Sequence, residues 1–208
     1  MENTVNEKFF DLKKEKQDRM INAALKIFAE NGYRHASTDD IVAEAGISKG
    51  LLFHYFTSKL GLYEFLIDYS VRFMSLELST RVGKKEEDFF RLLKQMEAAK
   101  FQVLKNYPYM QQFIDRTRYE DVKEALLAAE EKKNVLEEAR EAIMDRADLS
   151  PFKQGADPAK LLCMIEYTIQ GIMKRSFFEG TFHPEMVNEE INGYLDMIKQ
   201  LVYRPQVN

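Results

Sequence analysis

The chain is short of the residues that cross-link a fold or bind metals. Among 208 residues there is one cysteine, no tryptophan, three histidines, five prolines and nine glycines. A single cysteine, Cys163, excludes an intramolecular disulfide and suits a reducing compartment. It stands in an apolar helical stretch, where a buried structural thiol is expected in place of a nucleophile. His35, His54 and His183 fall on separate segments, none in an His-x-x-x-His or Glu-x-x-His pair, so no metal site is expected. There is no Gly-x-Ser-x-Gly and no glycine loop to cradle a phosphate, so no catalytic residue, no cofactor and no enzymatic activity are assigned. No apolar run approaches the ~20 residues of a membrane span. Met1 to Phe10 mixes acids with bases, unlike a secretory signal. These absences predict a cytoplasmic chain with no membrane partner.

What is present is helical. A hydrophobic content of 45% with 31% charged residues is ordinary for a globular protein, and the length suits one large domain or a small one joined to a larger. From Lys14 to Asn31 the apolar set Ile21, Ala24, Leu25 and Phe28 repeats at i, i+3, i+4 and i+7, predicting an amphipathic helix ended by Gly32. Residues 1–12 read as frayed, with Phe9, Phe10 and Leu12 available to dock on a neighbour. Ser58 is expected to cap a long helix reaching Val82, with Leu62, Phe65, Leu66, Tyr69, Phe73 and Leu76 on its apolar side. Phe89 to Asn106 forms another, stopped by Pro108. Asp121 to Arg146 reads as one long charged helix with Val122, Leu126, Ala129, Leu136 and Ile143 as a thin inward stripe. Asp157-Pro158 opens a helix that stops at Gly180, and His183-Pro184 opens the last, ending before Pro205. Strand-like alternation is absent.

Residues 37–56 carry the strongest functional signal. Thr38 is expected to cap a short helix whose apolar side is Ile41, Val42 and Ala45. Gly46 follows where a left-handed backbone suits a residue with no side chain. Ser48 caps a second helix, with Leu52 and Phe56 inward and Ser48, Lys49, Gly50, Leu51, His54 and Tyr55 outward. An ordinary helical hairpin has the same punctuation, but this is also the layout of a helix-turn-helix, whose second helix enters the major groove. The net charge of −4 argues weakly against nucleic acid, yet Ile47 to Leu60 holds Lys49 and Lys59 and no acid. Charges within a Debye length of about 8–10 Å govern phosphate contact, so the local balance matters more.

The residue identities favour the reader. Ala45-Gly46-Ile47-Ser48-Lys49-Gly50-x-Leu52-Phe53-x-Tyr55-Phe56-x-Ser58-Lys59 closely resembles the core of the TetR family of bacterial transcriptional regulators. The resemblance extends through Ala23 to Tyr33 and Thr38, and spans residues 16–66. Three positions depart from the family pattern: Val42 for a small Ala, Phe53 for Tyr, and Leu51 for Thr or Ser. Leucine cannot hydrogen-bond a base edge but packs against a thymine methyl. The resemblance implies an all-α fold with an N-terminal three-helix DNA-binding domain, residues 1–57, and a C-terminal helical bundle for effector binding and dimerisation, residues 58–208. Its implied DNA contacts are Thr38, Ser48, Lys49, Gly50, Leu51, His54, Tyr55 and Lys59, with Lys59 and Tyr55 on phosphates and Lys49 and Leu51 at base edges.

The rest of the chain is assigned by the same resemblance. The last two helices carry one seam of Leu162, Ile165, Ile169, Ile172 and Met173, and another of Val187, Ile191, Tyr194, Leu195, Ile198, Leu201 and Val202. Either suits a monomer core; the family implies a four-helix homodimer contact, assigned to Leu162, Ile165, Ile169, Met173, Val187, Ile191, Leu195, Ile198 and Val202. A small-molecule effector is implied too. Aromatic and Met residues at Phe65, Tyr69, Tyr107, Met110 and Phe113 are its expected lining. Cys163, Glu166, Tyr167 and Gln170 would supply polar atoms to it, because buried polar groups need partners. The functional expectation is a repressor that binds a two-fold operator in double-stranded DNA and is released by its effector. The rival is a DNA-bound interaction protein that senses no small molecule.

Overall fold

A computed structural model of the chain describes residues 7–130, 132 and 134–205. A 3-10 turn, Glu7–Phe9, precedes α1 (Lys14–His35), α2 (Thr38–Ala45), α3 (Lys49–Phe56), α4 (Lys59–Arg81) and α5 (Phe89–Leu104). Then come α6 (Met110–Thr117), α7 (Lys123–Glu130), α8 (Val135–Met144), α9 (Pro158–Phe178) and α10 (Pro184–Val202). The fold is all-α, as the periodicity predicts; among the described residues the only β features are two isolated bridges. The chain forms two compact units: Met1–Glu77 with Val103–Ala139, and Leu78–Gln102 with Arg140–Asn208.

The first unit is built on aromatic packing. Ile21, Ala24, Leu25 and Phe28 of α1 are buried as their spacing requires. The ring of Phe28 lies 5.0 Å from Tyr63, which lies 4.9 Å from Tyr33 and 5.4 Å from Phe113. Helix α1 breaks at Gly32, where φ is +67° and an added Cβ would meet the Arg116 guanidinium at 2.8 Å. Of the stretch expected to fray, residues 1–6 lie outside the described residues. Phe9 is fully buried, its ring 5.0 Å from Phe56 and 5.4 Å from Phe65.

The expected long helix over 121–146 is two, α7 and α8; of the residues between them, 131 and 133 lie outside the described residues. The inward stripe shifts with the break. Ala125 and Ala129 are the buried face of α7, and Leu126 is exposed. Leu76, placed on the apolar side of α4, is also exposed.

In the second unit, Phe89, Phe90, Phe152 and Tyr203 form a ring cluster with centroids 5.0–5.3 Å apart along Phe89–Phe152–Tyr203–Phe90. Asp157 caps α9 through the Lys160 N–H, with Pro158 at the first helical position as read from sequence. Ile165, Ile169, Val187, Ile191, Leu195 and Ile198 are buried within the single chain, and Leu162, Met173 and Val202 are half-buried. The six buried residues therefore complete the chain's own core, a correction to their assignment as an intersubunit contact, while Leu162, Met173 and Val202 keep part of their surface in solvent. Glu97 and Lys100, one helical turn apart on α5, form a buried ion pair. Burying both charges is costly, and their pairing offsets that cost.

Candidate nucleic-acid interface

The helix-turn-helix is set by two serine caps and a glycine. Ser37, not Thr38, caps α2: its Oγ accepts from the Asp39 N–H at 3.1 Å. Helix α2 thus begins one residue earlier in its capping than the sequence suggests, and Thr38 becomes its first residue. Gly46 adopts φ 62°, ψ 43°, the left-handed conformation that a Cβ disfavours. Ser48 Oγ accepts from the Leu51 N–H at 3.2 Å and starts α3. Ile41, Ala45, Leu52 and Phe56 are buried.

This leaves a polar edge on α3. Ser48, Lys49, Gly50 and His54 are exposed, Thr38, Leu51 and Phe53 are half-buried, and nothing would meet a Cβ at Gly50 within 4 Å. Tyr55 does not belong to that edge. It is only 7% exposed, its ring 5.7 Å from Phe9. Seven positions past Ser48 returns to nearly the same side of the helix, so the period alone places Tyr55 outward; it is Phe9, outside the motif, that covers it.

Both lysines assigned to DNA already have company. The Lys49 ammonium lies 2.9 and 3.1 Å from the two carboxylate oxygens of Asp39. Lys59 Nζ sits 4.6 Å above the Tyr33 ring. Burial there pushes the Lys59 ammonium below its ordinary range, with Glu124 and Glu120 acting against the shift. Neither Asp39 nor Glu120 was legible as a functional residue, since each meets its partner across sequence gaps that no helical rule connects.

The remaining ties fix the end of α1. The Tyr33 N–H donates to buried Glu120 at 2.9 Å, the Tyr33 hydroxyl donates to Glu124, and Arg34 pairs with Asp121 at 3.0 Å. Burial and the Glu124 acceptor push the Tyr33 phenol up. Lys26 of α1 holds Glu44 of α2 at 2.8 Å.

The residues expected to line an effector site are divided between the two units. In the first, Phe65, Tyr69 and Tyr107 lie together: the Tyr69 ring is 5.6 Å from each of the others. The Tyr69 and Tyr107 hydroxyls are 2.7 Å apart, and the Tyr107 hydroxyl donates to Asp18 at 2.5 Å. Burial first, and these bonds second, push the Tyr107 phenol up. Met110 and Phe113 are fully buried core. The cavity beside Phe113, lined also by Ile67, Val71, Ile114 and Thr117, holds about 10 Å³. In the second unit, Cys163, Tyr167 and Gln170 are exposed on α9 and Glu166 is half-buried. These side chains are therefore not the buried polar group they were read as, and Cys163 is not a buried thiol. Cys163 and Tyr167 belong to an open shelf with Ala159, Lys160, Met164 and Thr168, which Glu166 and Gln170 do not line. No helix among the described residues is long and apolar enough to cross a membrane.

Comparison with known proteins agrees with this geometry. Residues 20–66 match the family model described as bacterial regulatory proteins, tetR family. The uncharacterized HTH-type transcriptional regulator YuxN of Bacillus subtilis is 43% identical over 56 residues, 27% of this chain and 19% of that protein. The HTH-type transcriptional activator FasR of Mycolicibacterium smegmatis is 41% identical over 49 residues, 24% of this chain and 22% of its own length. The chain thus spans about a fifth of the length of these curated relatives. A TetR family transcriptional regulator from Chloroflexus aurantiacus superposes with a TM-score of 0.62 at 20% identity, over 97% of this chain and 99% of the other. At that identity the likeness is one of fold. The head, residues 20–66, thus matches the tetR family in sequence as a helix-turn-helix, and the whole chain is similar in fold to TetR family transcriptional regulators.

Proposed function

We propose that the protein is a cytoplasmic repressor that binds a two-fold operator as a homodimer and releases it when a small-molecule effector binds. Residues 1–57 read the DNA, and residues 58–208 sense the effector and dimerise. The observation that carries the reading is the exposed edge of α3, Ser48, Lys49, Gly50 and His54, presented by two capped helices on a rigid aromatic base. Leu51 and Thr38 flank it, and Lys59 stands at the start of α4.

Dimerisation is supported by apolar side chains that α9 and α10 leave in solvent. Met164, Tyr167, Phe178, Tyr194, Met197 and Leu201 are all at least 40% exposed. Repression is the simpler outcome, since an occupied operator excludes other proteins without further contacts.

A second reading has one observation in its favour. The cavity of about 10 Å³ beside Phe113 is far below the ~300–1,000 Å³ of drug-sized sites. Close packing at Phe113 suits an interaction protein that senses no small molecule there. Selection of duplexes from a random library, followed by a thermal-shift screen of small molecules, separates these readings. The proposal expects a two-fold sequence with half-site centres ~34–36 Å apart or a multiple, two subunits per duplex, and screening hits that weaken binding. Enrichment of an asymmetric site bound by one subunit would falsify the dimeric reader. Hits that stabilise the protein and leave DNA affinity unchanged would remove the effector switch.

A further inference from the structure

We propose that Asp39 is a positioning residue that sets the specificity of the head, by holding Lys49 away from DNA phosphates until a matching base edge is met. This rests on the reading above that the first turn of α3 faces DNA. Asp39 and Lys49 each stand just after a serine cap, at the N-terminal ends of α2 and α3. The dipole at a helix N-terminus favours a carboxylate and disfavours an ammonium. Helix stability therefore accounts for Asp39 but not for Lys49, whose place needs an acceptor. In the free protein that acceptor is Asp39, with both carboxylate oxygens within 3.1 Å of the ammonium.

The exposure of the two side chains, 71% and 49%, sets the strength of this hold. An exposed pair changes an equilibrium by no more than about fivefold. That is enough to occupy the ammonium in the free head and little enough for DNA to displace. A phosphate that takes Lys49 brings its own negative charge up against the Asp39 carboxylate, which opposes the contact; a base edge is neutral. A base-edge acceptor, guanine N7 or O6 or thymine O4, needs only one of the three ammonium donors, so Asp39 keeps another. Backbone-only binding is thereby penalised and base contact is not. Helix α2 also holds a second lysine of the head, Lys26, through Glu44 at 2.8 Å.

The test is a cycle of the unaltered protein, Asp39→Asn, Lys49→Ala and the double variant. Fluorescence anisotropy would follow binding to two duplexes across a salt series. One duplex is selected from a random library by the unaltered protein, the other is shuffled with the same composition. Asp39→Asn is expected to tighten binding to the shuffled duplex about three- to fivefold and to steepen log K against log salt by about 0.9 per head. Affinity for the selected duplex should change less than about twofold, so the ratio between the duplexes falls. In the Lys49→Ala background the gain should vanish. The masking role is overturned if Asp39→Asn leaves the shuffled duplex unaffected, tightens both duplexes equally, or keeps its full gain without Lys49. A Lys49→Ala head whose affinities and slopes match the unaltered protein overturns the placement of Lys49 at DNA, and the masking with it. Both residues are exposed, and equal melting temperatures across the four proteins verify that the head stays folded.

Discussion

Thr57, between α3 and α4, is the one non-glycine with a positive φ among the described residues, at φ 62°, ψ −47°. With the Ser58 N–H donating to the Phe56 carbonyl at 2.6 Å, it forms the strained γ-turn that chains seldom use. Such a conformation costs on the order of 1–3 kcal/mol and persists only where its surroundings fix it. Here the Thr57 N–H bonds the Phe53 carbonyl, Ser58 Oγ accepts from the Gly61 N–H at 3.0 Å, and Phe56 is buried on Phe9. Gly61 is the residue that lets the turn close, since a Cβ there would stand 2.3 Å from the Phe56 carbonyl oxygen. The obstacle is backbone, which cannot rotate aside. Gly61→Ala is expected to destabilise the protein by about 2 kcal/mol or more, read as a lower melting temperature with weakened DNA binding. An unchanged melting temperature would mean that the turn relaxes at no cost. Residue detail of this kind was only partly legible beforehand. Ser48 and Gly46 announced their roles because cap and left-handed turn are local chemistry. Ser37 was passed over for its neighbour Thr38, since either hydroxyl satisfies the same cap rule, and the burial of Tyr55 depends on Phe9, far away in sequence.

Among the elements, α9 shows most clearly what periodicity can and cannot say. Its apolar residues fall on two faces: Leu161, Ile165, Ile169 and Ile172 are buried against the chain itself, while Met164 and Tyr167 stand in solvent, Tyr167 73% exposed. Spacing identified the first face as a seam but could not say what covers it, and in the chain α10 does, with Arg175 and Glu190 joined by two hydrogen bonds of 2.7 and 2.8 Å. The charged stretch 121–146 was similarly ambiguous. Its composition allows one solvated helix or two, and only the buried small residues Ala125 and Ala129 fix which side of α7 packs inward. These facts reassign the test of dimerisation. Ile169→Glu buries an unpaired carboxylate in the chain's own core, at a cost of several kcal/mol, and should unfold the second unit. Tyr167→Glu places the charge on the open face and should leave a folded monomer. Sedimentation and circular dichroism on both variants decide the matter. A folded monomer from Ile169→Glu, or a Tyr167→Glu protein still dimeric at micromolar concentration, would return the contact to the buried seam.

At the scale of the whole molecule, the chain carries a net charge of −4 and a calculated pI near 5.6, so its electrostatics rest on how individual acids are held. Asp88 is the clearest case. It caps α5 through the Arg91 N–H at 2.9 Å, receives Lys199 of α10 at 2.9 and 3.0 Å, and accepts from the Tyr203 hydroxyl at 3.4 Å. Burial alone would push its carboxyl up; the bonds from Lys199 and the Arg91 N–H outweigh that and hold it below the ordinary range. The folded pKa is depressed, so the unfolded chain binds the proton more readily. The stabilisation is therefore complete above the ordinary carboxyl value of about 4 and is lost as pH falls through and below it. Asp88→Asn keeps the shape and removes the charge. At pH 7 it should cost about 1 kcal/mol, the modest figure appropriate to a group still partly in water, seen as a lower urea midpoint. As pH falls through the depressed folded value the unaltered carboxyl takes up its proton, and the two midpoints should converge. Lys199→Met should show the same convergence, because it removes the other half of one interaction. A gap that persists undiminished in acid would assign the loss to packing around Phe89 and Tyr203, and the charge on Asp88 would then contribute nothing measurable to holding the two ends of the second unit together.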